Sequence, residues 1–208
     1  MEIQFHGANC VSLSGKKYSV VVDDNLEDLG LKSVVKPGYI VLQTFSQKAP
    51  KTEAKIIIDS PGEYEVSNIS VAGVSARSHM DEEGKKSATI YRLILEDIRV
   101  AIVGHIYPEL SEKQLEAIGT VDVLFVPVGG NGYTLDPIGA HKIIKELEPK
   151  IVIPTHYHDK DINYEVPQQS LEEALKGLGM EPKETVDKLK LKSTEISDIT
   201  QLFILNRT

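Results

Sequence analysis

The chain has 208 residues, 41% of them hydrophobic and 26% charged, which excludes a disordered polymer and gives enough material for a substantial core. A net charge of −8, from 31 acidic and 23 basic residues, argues against binding a nucleic-acid backbone, and no apolar run approaches the ~20 residues that cross a bilayer. Cys10 is the only cysteine, so no internal disulfide forms, and the opening MEIQFHGANC has neither the basic nor the apolar region of a signal peptide; a cytoplasmic location is expected.

Strand-forming residues dominate 3–5, 12–13, 18–22, 39–42, 55–58, 64–66, 69–72 and 89–95. Turn residues separate them: Ser14-Gly15, Pro37-Gly38, Pro61-Gly62 and Gly84. Glu96-Asp97 predicts a tight turn into a strand over 99–103. Ser111 with Gln114 reads as a capping box that opens a helix, which Gly119 closes. A buried strand is expected over 121–126. Asp136 caps a second helix with Pro137 in its first position, and Ala140, Ile143, Ile144 and Leu147 share one face before Pro149. Another buried strand follows at 151–153. Ser170 with Glu173 opens a third helix, with Leu171, Ala174, Leu175 and Leu178 as its apolar stripe and Gly179 as its stop. Strands over 186–191 and 201–205 end the chain. The most basic segment, 183–192, is mixed in sign and reads as the wet face of a strand.

The first half predicts a meandering antiparallel sheet, and the second half predicts parallel β-α-β units, so an α/β architecture of two packed sheets with helices outside is expected. In such sheets, sites form beyond the carboxyl ends of strands. Val103-Gly104-His105, Pro127-Val128-Gly129-Gly130 and Pro154-Thr155-His156 all lie at such ends, and two of them carry a histidine. Gly129-Gly130-Asn131-Gly132 lacks the Gly-Lys-Ser/Thr of a phosphate loop and reads as a turn into the Asp136 cap.

Five segments carry a family likeness: PGEYEV (61–66), SARSHMDEEG (75–84), ATIYRLIL (88–95), IVGHIYPELSEKQLEAIGTVDVLFVPVGGNGYTLD (102–136) and PKIVIPTHYH (149–158). FHGANC (5–10) and VVVDDNLEDLGL (20–31) add to it. Together they resemble the small zinc-dependent hydrolase-like branch of the metallo-β-lactamase superfamily over nearly the whole chain. The resemblance implies one domain over residues 1–208, folded as a four-layer αβ/βα sandwich with its site at one edge. It also implies one or two zinc ions, which lower the pKa of bound water to about 7 and supply hydroxide for attack on a carbonyl or phosphorus.

Against that family pattern the chain departs at the metal ligands. The family's His-x-His-x-Asp-His is expected after the strand at 39–42, where this chain reads Gln43-Thr44-Phe45-Ser46-Gln47-Lys48. Gly7-Ala8-Asn9 stands at the family's Gly-His-Ser. His79 and His156 match two family ligand positions, and His105 stands where the bridging aspartate is expected. Asp23-Asp24 matches a family aspartate near the site; as with Asp59, the bland reading is a turn. Cys10 reads as a small buried apolar residue, His158 and His141 as surface residues, and His6 carries no pattern. His105 is equally readable as an exposed loop residue.

Two functions from different classes follow. The first is a degenerate family member with no cofactor and little or no hydrolase activity, which binds a small molecule or a protein in the former active-site cleft. The alternative is a mononuclear zinc hydrolase of an ester or phosphodiester, in which His79, His105 and His156 hold one zinc ion and Asp81, Asp136 or Tyr133 assists proton transfer. A structural subunit of an oligomer is a third reading. No nucleic-acid or membrane partner is expected.

Overall fold

In the computed structural model, which describes residues 1–208, alternating apolar residues drive the first third of the chain into short strands. These are β1 (Glu2–Gly7), β2 (Cys10–Ser14), β3 (Ser19–Val22), β4 (Ile40–Leu42) and β5 (Ile56–Ile58). Next come β6 (Gly62–Val66), β7 (Ile69–Ala76), β8 (Ala88–Leu95) and β9 (Ile98–Ile102). Helices then alternate with strands: α1 (Glu112–Ile118), β10 (Val123–Pro127), α2 (Pro137–Leu147), β11 (Ile151–Thr155) and α3 (Leu171–Leu178). The chain closes with β12 (Pro182–Val186), β13 (Leu189–Lys190), a 3₁₀ turn at Ser193–Glu195 and β14 (Gln201–Leu205). No helix is long and apolar enough to cross a membrane.

The strands form two sheets, ordered β13-β1-β2-β3-β4-β5 and β12-β14-β11-β10-β9-β8-β7-β6. Their facing sides enclose one core, in which Phe5, Leu13, Val22 and Leu42 meet Tyr91, Leu93, Phe125 and Ile153. The outer face of the eight-stranded sheet carries all three α-helices. There Leu124, Val126 and Val152 pack on Ile118, Ile143, Leu147 and Leu178. Period-two alternation thus sends Leu124 and Phe125 into different layers. Strands β10 and β11, covered on both faces, are buried throughout.

The α/β architecture of two sheets is present, with three departures from the sequence expectation. The first half is not one antiparallel meander: β3–β4 and β4–β5 pair in parallel, and the strands divide between both sheets. The layer outside the six-stranded sheet is not a helix but the irregular segment 24–39, whose Leu26 and Val35 cover Cys10, Val21 and Val41. The single strand expected at 186–191 is two, β12 beside β14 and β13 beside β1, so this stretch crosses from one sheet to the other. Its lysines are exposed, and Lys188 and Lys190 face Glu2. The Glu96-Asp97 turn is as expected, with both residues left-handed (φ 50° and 63°), as the twist of a two-residue hairpin requires.

Candidate functional site

Register brings the site together. Ile102 of β9 is level with Phe125 of β10, which is level with Ile153 of β11. Three residues beyond each lie His105, Val128 and His156, at the carboxyl ends of parallel strands. The chain turns sharply there. Gly104 (φ 59°) and His156 (φ 56°) are both left-handed, and the His156 amide donates to the Ala8 carbonyl at 2.7 Å. A Cβ on Gly104 would overlap the Thr44 side chain, and one on Gly129 would overlap Gln168 Oε1 and the His156 carbonyl. Both glycines are there because backbone and neighbour approach too closely for a side chain.

His105 and His156 are both buried, and their Nε2 atoms are 3.2 Å apart. Amide groups fix the tautomers. Gln168 Oε1 lies 3.1 Å from His156 Nδ1, so that nitrogen donates and His156 Nε2 is left to accept. His105 Nε2 is then the donor, and its Nδ1 accepts from Asn9 Nδ2 at 3.2 Å. Asn9 Oδ1 accepts from the Thr155 hydroxyl at 2.8 Å. The result is one chain, Thr155–Asn9–His105–His156–Gln168, in which both imidazoles are neutral and every ring nitrogen is used. Burial holds the His156 pKa down at about 4. For His105 burial, reinforced by His156 and His79, drives it well below the ordinary value.

Aromatic rings close around this pair. Phe45 lies edge-on to His105 at 4.5 Å, Tyr133 lies 5.2 Å from His105 and 5.7 Å from His156, and Tyr164 lies 5.3 Å from His156. Beneath Phe45, the loop after β4 is tied down by Asp23, a fully buried carboxylate. Asp23 accepts from the Thr44 amide (2.7 Å), the Thr44 hydroxyl (2.6 Å) and Gln47 Nε2 (2.6 Å). Burial outweighs these three donors and raises its pKa to about 6.

The other sequence candidates sit as follows. The His79 amide donates to the His105 carbonyl, but no hydrogen bond or ring contact joins its side chain to His105 or His156. Its ring is half-buried beside Tyr107, 6.0 Å away, and its buried Nδ1 has no partner. Asp81 is occupied structurally: it accepts from the Ser78 and Ser87 amides and the Ser87 hydroxyl, so it is not placed for proton transfer. Asp136 is the α2 cap, accepting from the Gly139 amide at 2.7 Å. Tyr133 alone of the three reaches the site.

His105 is not an exposed loop residue, because the aromatic rings cover it. His158 is exposed. His141 is less exposed than the sequence implied, since its Nδ1 lies 3.1 Å from the Leu178 carbonyl at the end of α3. His6 bonds Ser12 at 2.8 Å, remote from the pair. Asp24 pins the 24–39 segment by accepting from Ser33 and the Val34 and Val35 amides, while Asp59 is exposed. Cys10 is a buried apolar residue whose thiol pKa burial raises. The Gly129–Gly132 stretch is a turn into the α2 cap.

Sequence reasoning missed Gln168, Tyr164 and Glu165, which come from the irregular segment between β11 and α3. They belong to no motif, so only the fold reveals them. Asn9 was visible only as a departure from the family pattern.

A catalytic zinc takes three protein ligands and keeps one position open. No three His, Cys, Asp or Glu side chains are grouped to hold a metal ion. Two histidines are in contact, but their nitrogens are already committed to each other and to Asn9 and Gln168. As arranged, these residues do not fit a catalytic zinc.

Residues 2–156 match the family model described as a beta-lactamase superfamily domain. The UPF0173 metal-dependent hydrolase of Thermoplasma acidophilum is 27% identical over 195 residues, covering 78% of this chain and 85% of that protein. A protein of the metallo-β-lactamase superfamily from Thermotoga maritima superposes with a TM-score of 0.77 at 24% identity, over 99% of this chain and 98% of that one. An isothiocyanate hydrolase from Delia radicum gut bacteria superposes with a TM-score of 0.64 at 12% identity, over 100% and 97% of the two chains. The last two likenesses concern the fold.

Proposed function

The chain belongs to the beta-lactamase superfamily, and from that premise we propose that it keeps the fold of a metal-dependent hydrolase but acts as a binding scaffold of little or no hydrolytic activity. In this reading the family's metal motif has been lost, and the cleft beside His156 takes a ligand without metal. One observation carries it. The two histidines at the strand ends spend their lone pairs within the chain Thr155–Asn9–His105–His156–Gln168, leaving none for a cation. Phe45, from the segment where the family carries its ligands, packs edge-on against His105 instead.

The hydrolase reading retains two supporting observations, one of them in the site itself. His79 Nδ1 is buried without a hydrogen-bond partner, as a ligand nitrogen awaiting a metal would be. For His79, His105 and His156 to share a zinc ion, the His105–His156 bond would have to break. The relatives named as metal-dependent hydrolases favour the same reading.

Elemental analysis of untagged protein, followed by zinc titration of wild type and His156→Ala, separates the two. The expected result is no bound zinc in either protein and no metal-dependent turnover of esters or phosphodiesters. About one zinc per chain, lost in His156→Ala together with hydrolysis, would overturn the proposal.

A further inference from the structure

Beside His156 lies a small cavity of about 160 Å³, enclosed in part by the three rings already described. Its rim carries two acidic side chains, Asp28 and Glu165, and no lysine or arginine lines it. We propose that this cavity binds a small organic ammonium cation, caged by Phe45, Tyr133 and Tyr164 and attracted by Asp28 and Glu165; the proposal rests on the metal-free binding reading of the cleft.

Three physical features agree. Aromatic faces carry negative quadrupole charge, and rings converging on one space form the arrangement that holds quaternary ammonium groups. Here Tyr133 and Tyr164 approach the same imidazole, that of His156, at 5.7 and 5.3 Å.

The second feature is charge. His156, on the cavity wall, shares its ring nitrogens with His105 and Gln168, an arrangement that calls for one proton on the ring and so no charge. Glu165 makes no ion pair, and its carboxylate is near enough to help raise the Tyr133 pKa. Lys48 does meet Asp28, at 2.7 Å, but from a neighbouring groove; both partners are exposed, at 81% and 50% of the side chain, so the pair is solvent-screened. A phosphate or carboxylate ligand would meet Glu165, which no cation partners, and no lysine or arginine on the cavity wall itself.

The third feature is size. A cavity of ~150 Å³ accommodates a benzene-sized molecule. The space here therefore matches an alkylammonium head group.

Choline and its uncharged isostere 3,3-dimethylbutan-1-ol are the discriminating probes, with acetate as the anion. Each is titrated at neutral pH into the full chain, freed of metal by chelation, and followed by NMR shifts of the His156 and Tyr133 ring protons. Choline is expected to bind in the millimolar range and at least about fivefold more tightly than the alcohol. Glu165→Gln, a change at an exposed side chain, is expected to weaken choline but not the alcohol, and Tyr133→Leu to weaken both. Equal affinity for choline and alcohol, preference for acetate, or no choline binding would overturn the proposal. A zinc titration of the same samples keeps the two readings apart. Choline bound in chelated protein but displaced by stoichiometric zinc supports the cation site and overturns the metal-free function. Failure of choline without zinc uptake overturns the cation site alone.

Discussion

Asp23, His105 and His156 are ionisable groups buried on one side of the molecule, and they bias stability in opposite directions. The Asp23 pKa is about 6 in the folded chain against an ordinary 3.8, so its favourable contribution is complete below 3.8 and lost as pH rises through about 6. For the histidines the folded pKa is depressed below the ordinary 6.5, so their contribution is complete above 6.5 and lost as pH falls, for His156 through about 4. The two trends overlap and mask one another in the wild type. Substitution separates them. Asp23→Asn is expected to gain stability relative to wild type as pH rises from about 4 to about 6, on the order of 1–3 kcal/mol across that window. Urea unfolding of both proteins across the window measures it, and a pH-independent difference would sink the assignment.

At the scale of the element, caps define the helices and strand ends define the site. Ser111 and Ser170 each accept from the amide three residues on, while Gln114 and Glu173 reach back, as capping boxes do. Ser170→Ala removes the side-chain acceptor of a helix only eight residues long, and is expected to cost about 1 kcal/mol by denaturant titration. The site should be untouched, because α3 itself contributes none of the residues lining the cavity. These caps were legible in sequence because they are local: each needs only two residues at a fixed spacing. The crossing of 182–190 from one sheet to the other was not legible, since Leu189–Lys190 finds its partner at the other end of the chain, in β1, while Pro182–Val186 pairs with β14.

At the scale of the molecule, the eight-stranded sheet separates two cores, one against the other sheet and one against the helices. Phe125 and Leu124 are neighbours in β10 yet belong to different cores, and both are essentially inaccessible to solvent. Phe125→Ala and Leu124→Ala are each expected to destabilise by about 2–5 kcal/mol, seen as lower urea midpoints. A small loss at either position would mean that its core is loosely packed.

What the sequence determined by itself is what local spacing and motif order encode: the α/β character, the helix caps, the family likeness, and the placing of His105 and His156 just past buried strands. It also exposed the run Gln43-Thr44-Phe45-Ser46-Gln47-Lys48 where ligands were expected. Tertiary structure alone decided how these pieces meet. Register across β9, β10 and β11 set the two imidazoles in contact, and Gln168 and Asn9, from segments 159 residues apart in the chain (168 − 9), fixed their tautomers. It also left His79 outside that pair and gave Asp81 and Asp136 to loop and helix ends. The reason is physical: a side chain's identity and neighbours in sequence are local, whereas its protonation, its hydrogen-bond partners and the cavity it faces depend on groups that only folding brings within a few ångströms.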